Sequence, residues 1–371
     1  MGLLVLGVSD AMLGVAWPSM RATFGAPLAG LGLVFAASTS GFLAVSAGMA
    51  ALAPRLPMGA RMILAGTAAC LAIGGFAVSP SWPALVLAAL LYGAAAGLLD
   101  PGLNAYVAIH HANGELNLLH AGYGIGASLG PLLVSVALVS GWGWRIAYLP
   151  VLLAYLLLLA GFVVVRRAWR VFPSIVARHR SERARAGLAL GLVSFFAYTG
   201  IEVSAGGWSF SYLTLGLGMG PGGAGLIVGS FWAALTVGRL IAAGLAVRVN
   251  AAAFVVGSVV VALVGAVLIA PQPALGLPLL GLGLAPVFPT LVSLTPAAQG
   301  DDGTTAAVGY QLAAGSLGAA FVPALVGLAL QRFGVGLLPA LLIGGAGFQL
   351  ALALGTRLGP LMSKAVHPRS T

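Results

Sequence analysis

The sequence predicts an all-α membrane protein with twelve transmembrane helices in two six-helix pseudo-repeats. Hydrophobic residues make up 60% of the 371 positions, charged residues only 6%, and the mean hydropathy is +1.07. A soluble domain has no core large enough to bury so much apolar surface. A membrane-spanning helix needs about 20 mostly apolar residues, so a chain of this length with short loops holds about twelve of them.

The predicted spans follow the apolar segments between loops. They cover 1–18, 28–52, 59–79, 82–107, 114–139, 144–165, 187–213, 221–246, 250–270, 273–296, 303–330 and 334–356. The first span begins at Met1 itself, so we expect a few residues to precede it in the native chain. It leads into Asp10 and Trp17 instead of a small-residue cleavage site, so no cleavable signal peptide is predicted.

Basic residues predict the orientation, because short cytoplasmic loops retain Lys and Arg. With both termini in the cytoplasm, most of the basic residues lie on the inner side, and the outer side keeps Arg21, Arg145 and Arg332. Arg239 falls near the inner end of the eighth span. The net charge of +10 then reflects topology and contact with anionic lipids, and no nucleic-acid partner is expected. This pattern favours a multi-pass protein of a bacterial inner membrane.

The middle of the chain carries its one long polar segment. Seven arginines lie between Arg166 and Arg185. We therefore predict an N-terminal six-helix bundle at 1–165, a basic cytoplasmic linker at 166–186 and a C-terminal six-helix bundle at 187–371.

An internal repeat supports this division. Gly122-Tyr123 and Ser128-Leu129-Gly130 recur as Gly309-Tyr310 and Ser316-Leu317-Gly318, 187 to 188 residues later. At the offset of 188, Gly93 also lies over Gly281, and Asp100-Pro101 lies over Phe288-Pro289. Asp10 and Trp17 pair more loosely with Glu202 and Trp208.

Three carboxylates lie inside apolar spans: Asp10 in the first, Asp100 in the fourth and Glu202 in the seventh. An ionised acid at the centre of a bilayer costs about 2.5 to 3.5 kcal/mol on insertion scales, so each must face water, a partner or a proton. Desolvation favours the neutral form of a carboxyl group, which allows it to hold a proton in one conformation and release it when water arrives. These acids and His120 are the predicted coupling groups. A packing role for His120 is an equal alternative.

Polar and aromatic residues of the spans predict a solute site. Asn104 shares a helix face with Asp100, and Asn117 shares one with His120. The predicted substrate-binding residues are Asn104, Asn117, Tyr123, Trp17, Trp208, Tyr310 and Gln311. Aromatic faces with a few hydrogen-bonding groups suit a sugar, whose ring stacks while its hydroxyls pair. Membrane aromatics are also interface anchors, and the amide pairs also serve helix packing, so these alternatives stay open.

Several motifs resemble the major facilitator superfamily, and within it the fucose and glucose/galactose proton symporters with their sodium-dependent glucose relatives. They are Gly97-Leu98-Leu99-Asp100-Pro101-Gly102-Leu103-Asn104, the run from His120 to Pro131, Trp144-Arg145, Glu202 with Trp208, and Gly309-Tyr310-Gln311. The resemblance implies alternating access. One motif departs from the family: the loop between spans two and three reads Ala53-Pro54-Arg55-Leu56-Pro57-Met58-Gly59, with proline where an acid is expected. The charge relay of that loop is therefore not expected here.

Function is predicted as proton-coupled symport of a small polar solute, with a monosaccharide favoured. Sodium coupling is the nearest variant, since Asp100 and the Asn104 oxygen also suit a hard cation. Drug or metabolite efflux is the alternative, because Gly126, Gly130 and Pro131 match part of an antiporter signature that Val134 and Ser135 then break. No Ser/His/Asp set, metal cluster or phosphate-binding loop indicates an enzyme, a metal or another cofactor.

Overall fold

The computed structural model describes residues 1–52, 56–110, 113–169, 186–245, 249–299 and 301–358. Within these ranges only the backbone is described at 49–52, 108–109, 113–117, 186–187, 243–245, 296–299, 301–306 and 356–358. Most of the predicted linker and the first part of the loop that departs from the family motif lie outside the described residues.

All regular structure in these ranges is helical, as predicted. The helices are α1 (Gly2–Phe24), α2 (Gly30–Leu52), α3 (Met58–Val78), α4 (Trp82–His110), α5 (Asn113–Val139), α6 (Tyr148–Val164), α7 (Ala186–Ser211), α8 (Pro221–Leu245), α9 (Ala251–Leu268), α10 (Pro273–Leu284), α11 (Val287–Gln299), α12 (Asp301–Phe333) and α13 (Leu338–Leu358). Eleven spans in the described chain are long and apolar enough to cross a membrane, and α6 is an apolar helix of 17 residues. The predicted all-α membrane fold is confirmed.

Two predicted spans differ from the structure. The first span continues past Pro18 to Phe24 and ends where Gly25 adopts the left-handed conformation, with φ of 62°. The Gly25 and Ala26 N–H groups both donate to the Arg21 carbonyl, which closes the last turn. The tenth span is two helices, α10 and α11, separated at Ala285 and Pro286. Pro286 has no N–H to donate, so the helical hydrogen bond to the carbonyl of Leu282, four residues earlier, is not made.

The chain divides into two compact units. Unit 1 contains residues 1–176, 207–229 and 327–336, and unit 2 contains 177–206, 230–326 and 337–371. In unit 1, α1 packs on α5, α2 packs on α4, and α3 packs on α4 and α6. In unit 2, α9 packs on α10 and α13.

Glycines allow close helix approach in both units, as expected where lipid supplies no hydrophobic drive between helices. Gly130 of α5 lies against the carbonyl oxygen of Val8 in α1, and Gly318 of α12 lies against the carbonyl oxygen of Phe196 in α7. Adding 188 to both residue numbers of the first pair produces the second pair. The repeat found in the sequence is therefore a repeat of helix contacts.

Unit 1 also includes the last turn of α7, the start of α8 and the end of α12. Trp208 packs on Gly327, and Gly207 packs on Phe35 of α2. The Ala29 N–H donates to the Gln331 side-chain oxygen over 2.9 Å. These contacts tie the ends of α7 and α12 to the segment that opens α2.

Candidate functional site

Asp10 is an exposed carboxylate near the middle of α1, a helix whose other residues are mostly buried. Gly7, three residues earlier and on the same face, lets the Tyr123 backbone of α5 approach α1. This approach positions the Tyr123 hydroxyl, which donates to Oδ2 of Asp10 over 2.9 Å. A glycine contact thus places a phenol beside the acid.

The other oxygen of Asp10 is held by a residue of α4. The Tyr92 hydroxyl lies 2.7 Å from Oδ1 of Asp10 and 3.2 Å from the Leu6 carbonyl oxygen. Tyr92 is only 7% exposed. Behind it, Ser9 donates to the Val5 carbonyl over 3.0 Å and contacts the Tyr155 hydroxyl of α6 at 3.4 Å. Asp10 is therefore oriented by hydroxyl groups from two other helices.

Asp100 lies on α4 in unit 1 and is half-buried. The Asn104 amide donates to Oδ1 of Asp100 over 2.6 Å and to its carbonyl oxygen over 2.9 Å, as the predicted shared face requires. Pro101 lacks the N–H that would bond the Gly97 carbonyl one turn earlier. The Ser46 hydroxyl of α2 donates to that carbonyl over 3.3 Å instead. The proline is thus accommodated by a neighbouring helix just beside the acid.

Glu202 has a different environment, in unit 2. Its carboxylate accepts hydrogen bonds from the Tyr198 hydroxyl, one turn earlier on α7, and from Arg239 of α8, with an N–O distance of 3.2 Å in the ion pair. The same guanidinium nitrogen donates to the Tyr198 hydroxyl over 3.1 Å. Glu202 is thus charge-compensated, whereas Asp10 and Asp100 bond only neutral groups among the described residues.

Trp17 and Trp208, predicted to bind substrate, are both 0% exposed. The Trp17 indole N–H donates to the Leu28 carbonyl over 3.0 Å, and its ring lies 5.3 Å from that of Trp82. Trp208 packs on Gly327, which also lies close to Ala29. In this conformation both rings are covered by protein and serve packing in unit 1.

The remaining predicted residues are spread over two helices. Tyr310 of α12 is 53% exposed, whereas Gln311 beside it is 5% exposed and accepts from the Thr295 hydroxyl over 3.0 Å. His120 is exposed on α5. Asn117 lies in α5 where only the backbone is described.

Sequence reasoning missed three of the residues that bond these acids directly: Tyr92, Tyr198 and Arg239. Tyr198 precedes Glu202 by four residues, so the helix period alone would place the two together. The sequence places Arg239 near the inner end of the eighth span. Its contact with Glu202 depends on how α8 packs against α7, which the sequence does not show. Tyr92 has no local signal, since Asp10 lies 82 residues away. In the described part of the chain no three His, Cys, Asp or Glu side chains are placed to hold a metal ion.

Carboxylates held at membrane depth by hydroxyl, amide and guanidinium groups on closely packed apolar helices define a multi-pass membrane transporter. The family model of the Major Facilitator Superfamily matches residues 1–323, and the chain belongs to this superfamily. It is accordingly a transporter and not an enzyme.

Solved structures of the same fold are similar over nearly the whole chain. A mutant of the nucleoside transporter NupG superposes with a TM-score of 0.73 at 15% identity, covering 96% of this chain and 97% of that one. The peptide transporter POT, in a complex with sulfate, has a TM-score of 0.72 at 14% identity and coverages of 97% and 94%.

An inward-facing, unoccupied bacterial homologue of the human lysosomal transporter Spinster has a TM-score of 0.69 at 13% identity, with coverages of 96% and 92%. At these identities the likeness concerns the fold alone. No functionally curated protein matches the sequence significantly.

Proposed function

We propose that this transporter is a proton-coupled symporter that takes up a small hydroxylated solute, with a monosaccharide as the favoured class. The observation that carries the proposal is the Asp10 centre: an exposed carboxylate within a buried helix, bonded to two phenols and to no basic group among the described residues. Such an acid has acceptor capacity left for the hydroxyls of a solute.

In this proposal Asp10 binds the solute and Asp100 carries the proton. Asp10 is exposed, and Tyr123 beside it can turn its hydroxyl from the carboxylate to a solute. Asp100 is half-buried and bonds one amide, and no cation among the described residues holds it charged. Protonation then removes a charge that resists the rearrangement of the helices.

Glu202 is proposed for a different role, because its carboxylate already has a cationic partner in Arg239. Taking up and releasing a proton at Glu202 would break and remake that ion pair in each cycle. We therefore place proton coupling on the acids of unit 1, with His120 as a further expected participant.

The solute class rests on hydrogen-bonding chemistry. A site built to bond hydroxyl groups rejects analogues that lack them, because its own polar groups are then left unpaired. A hexose, a pentose and the ribose of a nucleoside all present such hydroxyls, and NupG, which shares the fold, is a nucleoside transporter.

Counterflow in proteoliposomes tests this proposal. Vesicles loaded with one unlabelled hexose, pentose or nucleoside are diluted into a trace of the same labelled compound. We expect exchange of at least one hydroxylated solute by the wild type and its loss in Asp10→Asn. Accumulation of the solute should then follow an imposed proton gradient. Exchange of apolar cations and of no sugar or nucleoside would instead indicate efflux.

A further inference from the structure

The turn after α1 and the end of α12 border an open cavity in unit 1. Its volume is about 480 Å³, within the range of small-molecule sites. Two polar side chains line it, Arg21 of α1 and Gln331 of α12, and the rest of the lining is apolar and includes Leu215, Leu330 and Val335. A molecule bound in this cavity contacts the first pseudo-repeat through Arg21 and the second through Gln331.

Arg21 is half-buried and keeps most of its hydrogen-bonding capacity. Its Nε donates to the Ala26 carbonyl over 3.4 Å, a long hydrogen bond. Its two Nη groups bond nothing among the described residues. The last turn of α1 favours a cation because the helix dipole is negative there, but that interaction occupies no N–H group. The guanidinium therefore has donors left for an anion.

Gln331 adds a second donor to the lining. Its side-chain oxygen accepts the Ala29 N–H over 2.9 Å, so the other end of the amide is the NH₂ group. Within the described ranges this NH₂ group has no hydrogen-bond partner. An arginine together with an amide donor suits the oxygens of a phosphate, which accept charge-assisted hydrogen bonds.

The protein supplies no counter-ion for Arg21 at this end of unit 1. The sequence has no Asp or Glu at 11–99, 207–229 or 327–336, the stretches that contain the cavity lining. Asp10, the nearest acid along the chain, is eleven residues from Arg21, about 16 Å along the helix axis. That distance is too long for an ion pair, so an anion that pairs with Arg21 comes from outside the chain.

The position of the cavity favours a lipid as the source of this anion. Arg21 and Gln331 both lie within one turn of a helix end, at Phe24 and Phe333. The ends of membrane-spanning helices lie at the depth of the lipid headgroups. A free ion would leave the apolar part of the lining in contact with water, whereas the glycerol and first acyl carbons of a lipid cover it.

We propose that this cavity binds the phosphate of an anionic phospholipid. Arg21 and Gln331 donate to the phosphate oxygens, and Leu215, Leu330 and Val335 contact the glycerol and the first acyl carbons. The bound lipid links the turn after α1 to the end of α12 and stabilises this end of unit 1. The site is separate from Asp10 and does not depend on the identity of the solute.

Thermal unfolding of the purified full-length protein tests the inference without transport. The Tm is measured in dodecyl maltoside with rising mole fractions of phosphatidylglycerol or of phosphatidylcholine with the same acyl chains. A ligand that binds only the folded protein raises the Tm. We expect phosphatidylglycerol to act at an about tenfold lower mole fraction than phosphatidylcholine. Equal action of the two lipids would overturn the inference.

Inorganic phosphate separates a lipid from a free anion. With sodium chloride matching the ionic strength, it should leave the Tm unchanged, because it does not cover the apolar lining. A rise equal to that with phosphatidylglycerol would overturn the lipid assignment.

Variants separate this site from a general attraction between charges. Arg21→Gln should raise the required mole fraction of phosphatidylglycerol about tenfold, with phosphatidylcholine unchanged. Gln331→Glu keeps an acceptor for the Ala29 N–H but places a negative charge beside the phosphate, and it should abolish the preference for phosphatidylglycerol. Arg332→Gln is the matched control. It removes one positive charge beside Gln331, at an exposed residue that does not line the cavity.

A response of Arg21→Gln that equals the wild type would overturn the inference, and so would an equal loss in Arg332→Gln. If Arg21→Gln is not recovered folded, Gln331→Glu decides. A preference for phosphatidylglycerol that persists in Gln331→Glu counts against the site.

Discussion

The hydroxyl of Tyr92 in α4 lies 2.7 Å from Oδ1 of Asp10 in α1, and the same oxygen lies 3.2 Å from the Leu6 carbonyl. A phenol has one proton, so the two acceptors share it, and the tyrosine links α4 to two successive turns of α1. Because Tyr92 is buried and Tyr123 is more accessible, we assign the first phenol to fixing the carboxylate and propose that the second binds the solute.

Tyr92→Phe removes this hydroxyl with almost no change in volume. Hydrogen bonds to charged groups contribute about 1.5 to 3 kcal/mol, so we expect the solute concentration for half-maximal exchange to rise about tenfold or more. The measurement is counterflow in proteoliposomes at a series of solute concentrations.

Tyr148→Phe is the matched control. Tyr148 is 1% exposed, and its hydroxyl has no hydrogen-bond partner among the described residues. Its loss should leave exchange unchanged. Equal effects of the two substitutions would refute an orienting role for Tyr92.

Asp100→Asn separates coupling from binding. The amide cannot cycle a proton, so we expect uphill accumulation to disappear while counterflow continues. Asp10→Asn, in contrast, should reduce both activities. An Asp100→Asn variant that still concentrates solute against a gradient would show that the proton is carried elsewhere.

Gly126→Ala tests the packing of α1 on α5. A Cβ at Gly126 would fall on the Leu4 carbonyl oxygen, whereas at Gly122, one turn earlier, it would lie 3.8 Å from the nearest Leu4 atom. Overpacking costs about 1 to 3 kcal/mol, so we expect Gly126→Ala to lower the Tm of the purified protein by about 1 to 4 °C.

Gly122→Ala is the control for this packing test, because the same substitution there meets only an ordinary contact. It should leave the Tm within about 1 °C of the wild type, as expected where nothing is displaced. Similar losses at both glycines would show that helix packing is not the cause.

The coupling ion is tested by the pH outside the vesicles. If Asp100 binds a proton from the outer side, uptake should rise as that side is acidified, collapse with a protonophore, and persist when choline replaces sodium. Uptake that requires sodium and continues at alkaline pH under a clamped membrane potential would assign coupling to sodium.

Sequence periodicity predicted local pairs correctly where helix geometry decides them. Asp100 and Asn104 are four residues apart and form the expected bond. The matching contacts Gly130–Val8 and Gly318–Phe196 follow the predicted offset. The break at Ala285 and Pro286 was not predicted, because a proline by itself does not distinguish a helix break from a continuous helix. Pro18, Pro101 and Pro131 all lie inside continuous helices.

Composition and apolar spans by themselves determined that this chain is a helical membrane protein with acids at membrane depth, because the cost of burying charge in lipid is independent of the fold. Only the tertiary structure decided which acid is compensated. Asp10 meets Tyr92 and Glu202 meets Arg239 across different helices, at sequence separations of 82 and 37 residues. Such pairs form only when two helices pack against each other. Helix packing depends on burial and close approach over the whole fold, and no local sequence pattern predicts it. Helix packing also buries Trp17 and Trp208, which the sequence analysis predicts as substrate-binding residues.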